Sequence, residues 1–307
     1  MKHVSDVTAL SLPESVLSIG SFDGVHLGHR ALLSRLVDTA RRDSRPAVVL
    51  TFFPHPSVVL RGRQPALYIN TPDEKAGLLG SLGVDYVITQ TFDAALSHLS
   101  ADAFLDLLQT HLGMRALVVG EDFALGYRRE GGRIFLEAAG LRRGFRLEIV
   151  PPLMLDGEPV SSTRVREALR SGDVRRAAAY LGRPFTLPGT VVRGVGRGRK
   201  LGIPTVNLGF WNERAYPAPG VYACWADVNG STHPAVTNIG MRPTFDDGLL
   251  HPVVEAHLLD MTDDLYDRDI RLSFVDRLRD EQRFDGPAAL AAQIGRDIQK
   301  ARDLLGA

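Results

Sequence analysis

The sequence predicts an α/β protein: a doubly wound domain over residues 1–185, followed by a small antiparallel β-barrel or sandwich over residues 186–307 with a closing helix. Up to about residue 185, short apolar segments alternate with amphipathic ones, a pattern typical of a parallel sheet that helices cover on both faces. Beyond that point, β-rich segments are separated by Gly, Pro, Asn and Asp, as in antiparallel sheets. At 307 residues the chain is also long for a single core.

Five segments of the first domain predict parallel strands because they are rich in Val, Ile and Leu without strict alternation. They are SVLSIGSF (15–22), AVVLTFF (47–53), VDYVITQTF (84–92), RALVVGEDF (115–123) and FRLEIVPPLML (145–155). Between the first two, an apolar stripe predicts a helix: Leu32, Leu33, Leu36, Val37 and Ala40. Thr71, Pro72 and Glu74 form the capping-box pattern of a second helix. A third is predicted to start at Ser100 and to stop at Gly113.

The second domain is predicted from a series of short strands with turn residues between them. These strands are TLPGTVVRGVG (186–196), GVYACWADV (220–228), THPAVTNIG (232–240), PVVEAHLLD (252–260) and DIRLSFVDRLR (269–279). Asn229 and Gly230 predict a hairpin turn between the second and the third. The chain closes with one long helix, which we expect to pack on the barrel through one apolar face: Leu290, Ile294, Ile298 and Leu305.

Composition narrows the function classes. Basic and acidic residues number 36 each, so the net charge of zero gives no overall bias toward nucleic acid or a membrane surface. Cys224 is the single cysteine, which excludes an internal disulfide framework and fits a reducing compartment. The start lacks a long apolar signal segment, and no apolar run reaches membrane-spanning length. We therefore expect a cytoplasmic protein that acts on small molecules; an oligomer is possible but is not readable from the sequence.

The segment FDGVHLGHR carries the strongest functional signal of the first domain. His26 and His29 lie where the first predicted strand ends and the first helix begins, and Gly24 and Gly28 allow backbone to approach a ligand closely. A helix start presents free N–H groups and positive potential, which favour anions such as a nucleoside triphosphate. The alternative is a glycine turn with two histidines that face solvent.

Eight segments, in order along nearly the whole chain, resemble the motifs of the bacterial bifunctional riboflavin kinase/FAD synthetase family. Those of the first domain are FDGVHLGH (22–29), TFFPHP (51–56), VGEDFALG (119–126) and SSTRVREAL (161–169). Those of the second are GRGRKLGIPTVNL (196–208), GVY (220–222), TNIGMRPTF (237–245) and VEAHLLD (254–260). The first segment also resembles the H-x-G-H motif of the nucleotidyltransferase superfamily, which implies a Rossmann-like first domain.

The resemblance implies two ATP-dependent reactions with Mg²⁺ as the cofactor. Residues 186–307 would phosphorylate riboflavin to FMN, and residues 1–185 would adenylylate FMN to FAD. His26 and His29 would act on the ATP phosphates in the second reaction. The other implied ATP or phosphate ligands of this domain are Gly24, Gly28, Ser162, Thr163, Arg164 and Arg166, and the implied flavin ligands are Asp122 and Phe123. Two alternatives stay open: a capped helix with exposed arginines at residues 161–166, and an ordinary core role for Phe123.

One residue of the first domain has two possible roles, and two others depart from the family pattern. His55 lies in FPHP, where it fits either the same phosphate site or a proline-rich turn. Phe53 stands where family members often carry an acidic residue, and Ala124 stands where many carry a basic one. Neither departure removes a motif histidine, but both bear on how flavin or metal is contacted.

In the second domain, the glycine-rich segment GVGRGRKLG suggests a loop that wraps phosphate. Its implied phosphate ligands are Gly196, Arg197, Gly198 and Lys200; a solvated basic hairpin is the alternative. Thr205 and Asn207, two residues apart, offer hard oxygen ligands for Mg²⁺ bound with nucleotide. Glu255 stands in an apolar strand and, by resemblance, accepts the proton of the riboflavin 5′-hydroxyl; the alternative is an ion pair with an arginine. Asn238 and Arg242 are weaker candidates at the same mouth.

Three other functions compete with a bifunctional enzyme. An adenylyltransferase with a second domain that only binds ligand would not need Thr205, Asn207 and Glu255. A riboflavin kinase whose first domain stores flavin would not need His26 and His29. A regulatory flavin-binding module would need neither phosphate site complete.

Overall fold

A computed structural model describes residues 1–62, 67–193, 202–243, 250–261 and 263–307 of the chain. These residues form two compact units, Met1–Ser162 and Thr163–Ala307.

The first unit is built on a parallel sheet between two layers of helices. Its strands are β1 (Lys2–Val4), β2 (Ser15–Ile19), β3 (Ala47–Phe53), β4 (Tyr86–Thr91), β5 (Met114–Gly120) and β6 (Arg146–Val150), with a separate hairpin of β7 (Met154–Leu155) and β8 (Glu158–Pro159). Its helices are α1 (Leu27–Arg42), α2 (Pro56–Arg61), α3 (Pro72–Ser81), α4 (Ala94–Ser97), α5 (Ala101–Leu112) and α6 (Arg133–Arg143).

The strands of this sheet lie in the order β1-β4-β3-β2-β5-β6, and every neighbouring pair is parallel. The doubly wound arrangement predicted from the sequence is therefore confirmed. The chain leaves β2 toward β3 on one side, whereas β5 lies on the other side of β2. In such sheets a crevice forms beyond the carboxyl ends of the two strands at which the order reverses, and ligands bind there. Here those strands are β2 and β5.

Side chains from successive residues of β2 point into different layers of the core. Val16 packs with the α1 residues Leu33, Leu36 and Val37 on one face, while Leu17 packs with the α5 layer on the other. The predicted helix ends are also present: Thr71 and Glu74 form a reciprocal capping box, Ser100 caps α5, and Gly113 ends it in the left-handed region at φ 55°. Strand β1 was not predicted, since it has only three, mostly exposed residues at the sheet edge.

The second unit is a closed barrel preceded by two helices and followed by a third. Its elements are α7 (Ser162–Ser171, which begins at the last residue of the first unit), α8 (Val174–Leu181), β9 (Phe185–Val192), β10 (Val206–Gly209), β11 (Gly220–Val228), β12 (Ser231–Pro243), β13 (Leu250–Leu258), β14 (Asp269–Arg279) and α9 (Pro287–Leu305). The barrel order is β10-β13-β12-β11-β14-β9, with β9 paired to β10 and all pairs antiparallel. The sequence was compatible with either a barrel or a sandwich, and the closed strand order shows that this unit is a barrel.

Helix α9 covers one side of the barrel, as predicted. Ile298 and Leu305 pack against a barrel cluster that includes Val221 and Leu278. The predicted hairpin turn is present between β11 and β12, where Asn229 and Gly230 have φ values of 51° and 83°.

The division at Ser162 lies upstream of the predicted boundary near residue 185, and α7 and α8 occupy the interval. Helix α8 packs on β9 and β14 and buries Val174, Ala177 and Leu181. The two boundaries therefore make different predictions for a fragment that starts at residue 186.

Candidate active sites

The turn between β2 and α1 has an unusual backbone. Phe22, Gly24 and Val25 have φ values of 47°, 83° and 41°, all in the left-handed region. A β-branched residue such as Val25 rarely adopts this region, and each strained residue costs of order 1–3 kcal/mol. The surrounding contacts must therefore hold the turn in place.

Asp23, at the centre of the turn, makes several of those contacts and is only 4% exposed. Its carboxylate Oδ1 accepts hydrogen bonds from the backbone N–H groups of Ile69 at 2.9 Å and Asn70 at 3.4 Å. Its backbone carbonyl accepts one from the Ser162 hydroxyl at 2.7 Å. The predicted phosphate ligand Ser162 thus also tethers the turn that carries the histidines.

His26 caps helix α1 and is buried, with 5% exposure. Its Nδ1 accepts a hydrogen bond from the backbone N–H of His29 at 3.3 Å. Because Nδ1 accepts, the proton of a neutral ring is assigned to Nε2, which makes that atom a donor. The two imidazoles that the sequence singled out lie together, stacked with ring centroids 3.6 Å apart at 19°.

His29 is held as a neutral imidazole. Burial lowers its pKa well below its usual range, and the nearby charges of His26 and Lys75 lower it further. Its Nδ1 is buried, and no hydrogen-bond partner reaches that atom from the part of the chain that the structure describes. A positive charge on both stacked rings would be unfavourable at this distance, because like charges repel. At neutral pH His29 is therefore a neutral hydrogen-bonding group.

Gly28 lies in the first turn of α1, where a side chain would be tightly crowded. A Cβ atom there would come within 3.2 Å of the His26 ring and of the Val160 carbonyl oxygen. Gly24 instead supplies one of the left-handed positions of the turn. The role of both glycines at a phosphate stays a prediction.

Asp122 and Phe123 follow β5, the strand next to β2, so they emerge at the same edge of the sheet as His26. The Phe123 N–H donates to the Gly120 carbonyl at 3.1 Å in a tight turn. Phe123 is half-buried against the core, so the alternative of a core role stays open, whereas Asp122 is exposed. The Asp122 carbonyl accepts a hydrogen bond from Arg129 Nη2 at 2.6 Å.

For the remaining residues predicted at this site, the structure gives only their positions in the fold or local capping contacts. Thr163, Arg164 and Arg166 lie in α7 within the second unit. Their phosphate contact stays a prediction. His55 caps α2 by accepting the Ser57 N–H at 3.1 Å on Nδ1, which matches the proposed turn role without testing a role toward phosphate.

Sequence reasoning missed Lys75 in this site. It lies on α3, is 6% exposed, and donates from Nζ to the Thr51 hydroxyl at 2.9 Å and to the Ser21 carbonyl at 3.0 Å. A signal was present: Lys75 is four residues before Leu79 and next to Ala76, on the apolar side of α3. A lysine on a buried helix face has to be paired or functional.

In the second unit, Glu255 occupies the middle of a polar row across three barrel strands. Its register partners are Asn207 on β10 and Asn238 on β12. Directly opposed residues share a face, with Cβ atoms about 4.5–5.5 Å apart. The structure therefore brings together the predicted base, one predicted metal ligand and a weaker candidate.

Glu255 also makes an ion pair. Its Oε1 accepts a hydrogen bond from Arg242 Nη2 at 2.7 Å, so the arginine contact considered from the sequence is present. A carboxylate has two oxygens and several lone pairs, so this contact and a role as base are compatible.

Thr205, the other predicted metal ligand, lies just before β10 on the wall of a cavity of about 310 Å³. The cavity wall is partly apolar, from Val191, Leu258 and Leu265, and partly polar, from Asp264. Other lining residues are Gly202, Pro204, Val206, Ala256, Met261, Asp263 and Tyr266. The predicted phosphate ligands Gly196, Arg197, Gly198 and Lys200 lie outside the described residues.

Two family models match the chain. One, described as FAD synthetase, covers residues 9–164, and one described as riboflavin kinase covers residues 181–305. The bifunctional riboflavin kinase/FMN adenylyltransferase of Pseudomonas fluorescens is 41% identical over 94% of this chain and 92% of its own. The protein of the same name from Escherichia coli K12 is 39% identical over 95% and 93%.

A solved structure shares the fold of both units. It is titled a macrolide-efflux protein from Streptococcus pneumoniae and aligns with a TM-score of 0.88 at 30% identity, covering 98% of each chain. Macrolide efflux is the role that this name gives to the Streptococcus protein, and we do not transfer it to the present chain. Within the described ranges of the present chain, no helix is both long and apolar enough to cross a membrane.

Proposed function

This chain belongs to the bifunctional riboflavin kinase/FMN adenylyltransferase family, and we propose that the residues clustered in each of its two units carry one of the two reactions. It phosphorylates riboflavin to FMN and adenylylates FMN to FAD, using ATP in both steps. The observation that carries this conclusion is that both family models match, in order, within one chain whose relatives carry both activities in their names.

We assign adenylyl transfer to residues 1–185 and riboflavin phosphorylation to residues 186–307, which the matches at 9–164 and 181–305 support. The buried, free Cys224 suits a reducing compartment, and ATP is the phosphate donor, so we place both reactions in the cytoplasm.

In adenylyl transfer, a phosphate oxygen of FMN attacks the α-phosphorus of ATP, and pyrophosphate leaves. No protein nucleophile is needed, so the site works by positioning the reactants and by stabilising charge. The proposed agents are His26, whose Nε2–H donates, and the neutral His29 stacked on it. The N-terminus of α1 adds its free N–H groups and its positive potential.

The other residues proposed for this site have separate roles. Gly24 and Gly28 are proposed to let backbone approach the triphosphate closely, and Ser162 fixes the turn through the Asp23 carbonyl. Asp122 and Phe123, after the neighbouring strand β5, are proposed to meet the flavin. Thr163, Arg164 and Arg166 are proposed to bind phosphate as a hydroxyl donor and two bidentate guanidinium donors.

In the kinase reaction, the 5′-hydroxyl of riboflavin attacks the γ-phosphorus of ATP, and ADP leaves. Glu255 is proposed to take the hydroxyl proton, and Arg242 holds the carboxylate in one orientation. Gly196, Arg197, Gly198 and Lys200 are proposed to bind the phosphates of this ATP.

The donor set of this site fits Mg²⁺ when nucleotide supplies further oxygens. Thr205 offers a hydroxyl and Asn207 an amide oxygen, both hard ligands, and Asn207 stands beside Glu255. The described residues contain no group of three or more His, Cys, Asp or Glu side chains able to hold a metal by themselves. Bound with ATP, Mg²⁺ would neutralise charge on the phosphates.

One assay tests this function. Purified protein is incubated with riboflavin, ATP and Mg²⁺, and the flavins are separated at successive times. We expect FMN first and FAD afterwards. FMN without FAD would indicate a kinase with a storage domain, FAD only from supplied FMN would indicate a single adenylyltransferase, and no turnover would indicate a binding module.

A further inference from the structure

The proposed mechanism of adenylyl transfer gives no role to Lys75, whose ammonium group is buried in the first unit. Its Nζ lies in a cage of oxygen atoms: the Thr51 hydroxyl at 2.9 Å, the Ser21 carbonyl at 3.0 Å and the Phe52 carbonyl at 3.5 Å. Thr51 donates its own hydroxyl proton to the Ser21 carbonyl at 2.9 Å. A buried cation is expensive, so a lysine kept in such a cage needs a reason.

The cage joins three elements at the edge of the sheet. Lys75 comes from α3, Thr51 and Phe52 from the end of β3, and Ser21 from the turn that leads to His26. The carboxylate of Asp23, in the same turn, interacts electrostatically with the ammonium. Lys75 therefore fixes the start of the turn, while Ser162 and the amides of residues 69–70 fix its centre.

The ammonium also acts on the catalytic pair by charge. Its positive charge is one of the causes that lower the pKa of His29, after burial and the His26 ring. A cation near a half-buried, neutral imidazole favours its unprotonated form and adds positive potential toward an incoming polyphosphate.

We propose that Lys75 is a positioning residue for adenylyl transfer, which holds the turn that carries His26 through its hydrogen bonds to Ser21 and Thr51. This inference rests on the proposed function of the site. Lys75 acts through the turn and the histidines, so no contact with substrate is assigned to it.

The groups that face the ammonium define its pH behaviour. From the turn comes the Asp23 carboxylate and from the start of α1 comes His29, whereas β3 contributes a hydroxyl and a carbonyl that do not titrate. Burial lowers the pKa of Lys75 from 10.5 to about 8, against the opposing effect of Asp23. The charge on Lys75 is thus present at pH 7 and is lost as the pH rises through about 8.

Three variants test the proposal: Lys75→Met removes the charge, Lys75→Arg keeps a charge that does not titrate, and Lys2→Met changes the exposed lysine of the same unit. Adenylyl transfer from supplied FMN is measured from pH 5.5 to 9.5, with riboflavin kinase activity and the melting temperature measured on the same samples.

For wild type, kcat/KM of adenylyl transfer should fall above about pH 8. Lys75→Met should lower kcat about 10²-fold, as expected when a catalytic group is misplaced by about 1 Å. It should also abolish the fall above pH 8 and move the acidic limb to higher pH, because His29 loses a charge that lowers its pKa. Lys75→Arg should lack the fall above pH 8 but keep the acidic limb in place. Lys2→Met and the kinase rates should match wild type.

An adenylyltransferase pH profile and kcat of Lys75→Met equal to those of wild type would overturn the proposal. So would an activity loss that only follows the melting temperature and leaves both limbs where they are, since a purely structural lysine would behave in that way. A wild-type protein that makes FMN but never FAD would instead contradict the proposed function itself.

Discussion

Asn207 and Glu255 are register partners on the antiparallel strands β10 and β13, so a proposed metal ligand stands directly across from the proposed base. The pairing is fixed by the backbone hydrogen bonds of a closed barrel, in which a slip of one residue would turn one of the two side chains to the opposite face. If the two residues have the proposed roles, the 5′-hydroxyl of riboflavin and the phosphate that it attacks would lie within one small region.

Replacing Glu255 by Gln should slow FMN formation about 10²-fold, because general-base catalysis contributes roughly 10²–10⁴-fold and a loose phosphoryl transition state needs little early proton transfer. The amide keeps the shape and can still accept a hydrogen bond, so KM for riboflavin should change little. Steady-state kinetics with riboflavin and, separately, with FMN would measure both half-reactions. FAD formation from FMN should be unchanged.

Arg242→Gln provides the matched control, since it breaks the same ion pair at 2.7 Å and leaves the carboxylate in place. If Glu255 is the base, this variant should lose less kinase activity than Glu255→Gln, because the carboxylate that takes the proton is still present and only its orientation is loosened. If the ion pair alone matters, the two variants should lose activity to the same extent, and the assignment of Glu255 as base would be wrong.

Replacing both His26 and His29 by Ala should abolish FAD formation. Removing one charge-stabilising donor costs roughly 10²–10³-fold in rate, and two such losses at one site should leave no measurable turnover. FMN formation from riboflavin should continue, because Glu255 and its neighbours belong to the other unit. An equal loss of both activities in this variant would point to misfolding or to a shared site.

The features predicted correctly from the sequence depend on neighbouring residues. The cap at Thr71, the stop at Gly113 and the turn at Asn229 each follow from local backbone chemistry. The roles of Asp23 and Lys75 were missed because their contacts come from elements 46 and 54 residues away along the chain. Spacing within one segment carries no information on such contacts.

The same limit affects the domain boundary. The change from alternating helices and strands to a β-rich pattern marks residue 185 in the sequence, but it does not show which unit α8 packs against. In the structure α8 lies on β9 and β14, and its Asp173 cap and buried Val174 and Leu181 belong to the barrel unit.

Two fragments would separate these boundaries. A fragment of residues 163–307 retains α8 on the barrel and should unfold cooperatively and phosphorylate riboflavin. A fragment of residues 186–307 should be less stable, because losing buried Val174, Tyr180 and Leu181 removes about 1.5–3 kcal/mol of favourable burial per large apolar side chain. Thermal unfolding followed by circular dichroism, together with kinase assays, would compare them. Equal melting temperatures would show that α8 contributes nothing to the barrel and would favour the boundary at residue 185.

Acid should destabilise the first unit through a network around Arg146, which donates to Asp43 at 2.8 Å and to Glu148 at 3.0 Å. The hydrogen bond from Arg146 holds the pKa of Asp43 below its ordinary value of 3.8. Burial raises the pKa of Glu148, but the hydrogen bonds from Arg146 and Arg35 outweigh it, so the net shift from 4.5 is downward.

A carboxyl group whose pKa is lower in the folded state than in the unfolded state stabilises the fold fully at pH values above its unfolded-state pKa. That contribution is lost as the pH falls through the lowered, folded-state pKa. Asp43→Asn should therefore melt below wild type at pH 7, and the difference should shrink steadily below about pH 4. Melting curves of both proteins from pH 7 to pH 3 would show this convergence, and a difference that stays constant over that range would mean that Asp43 does not stabilise the unit through its charge.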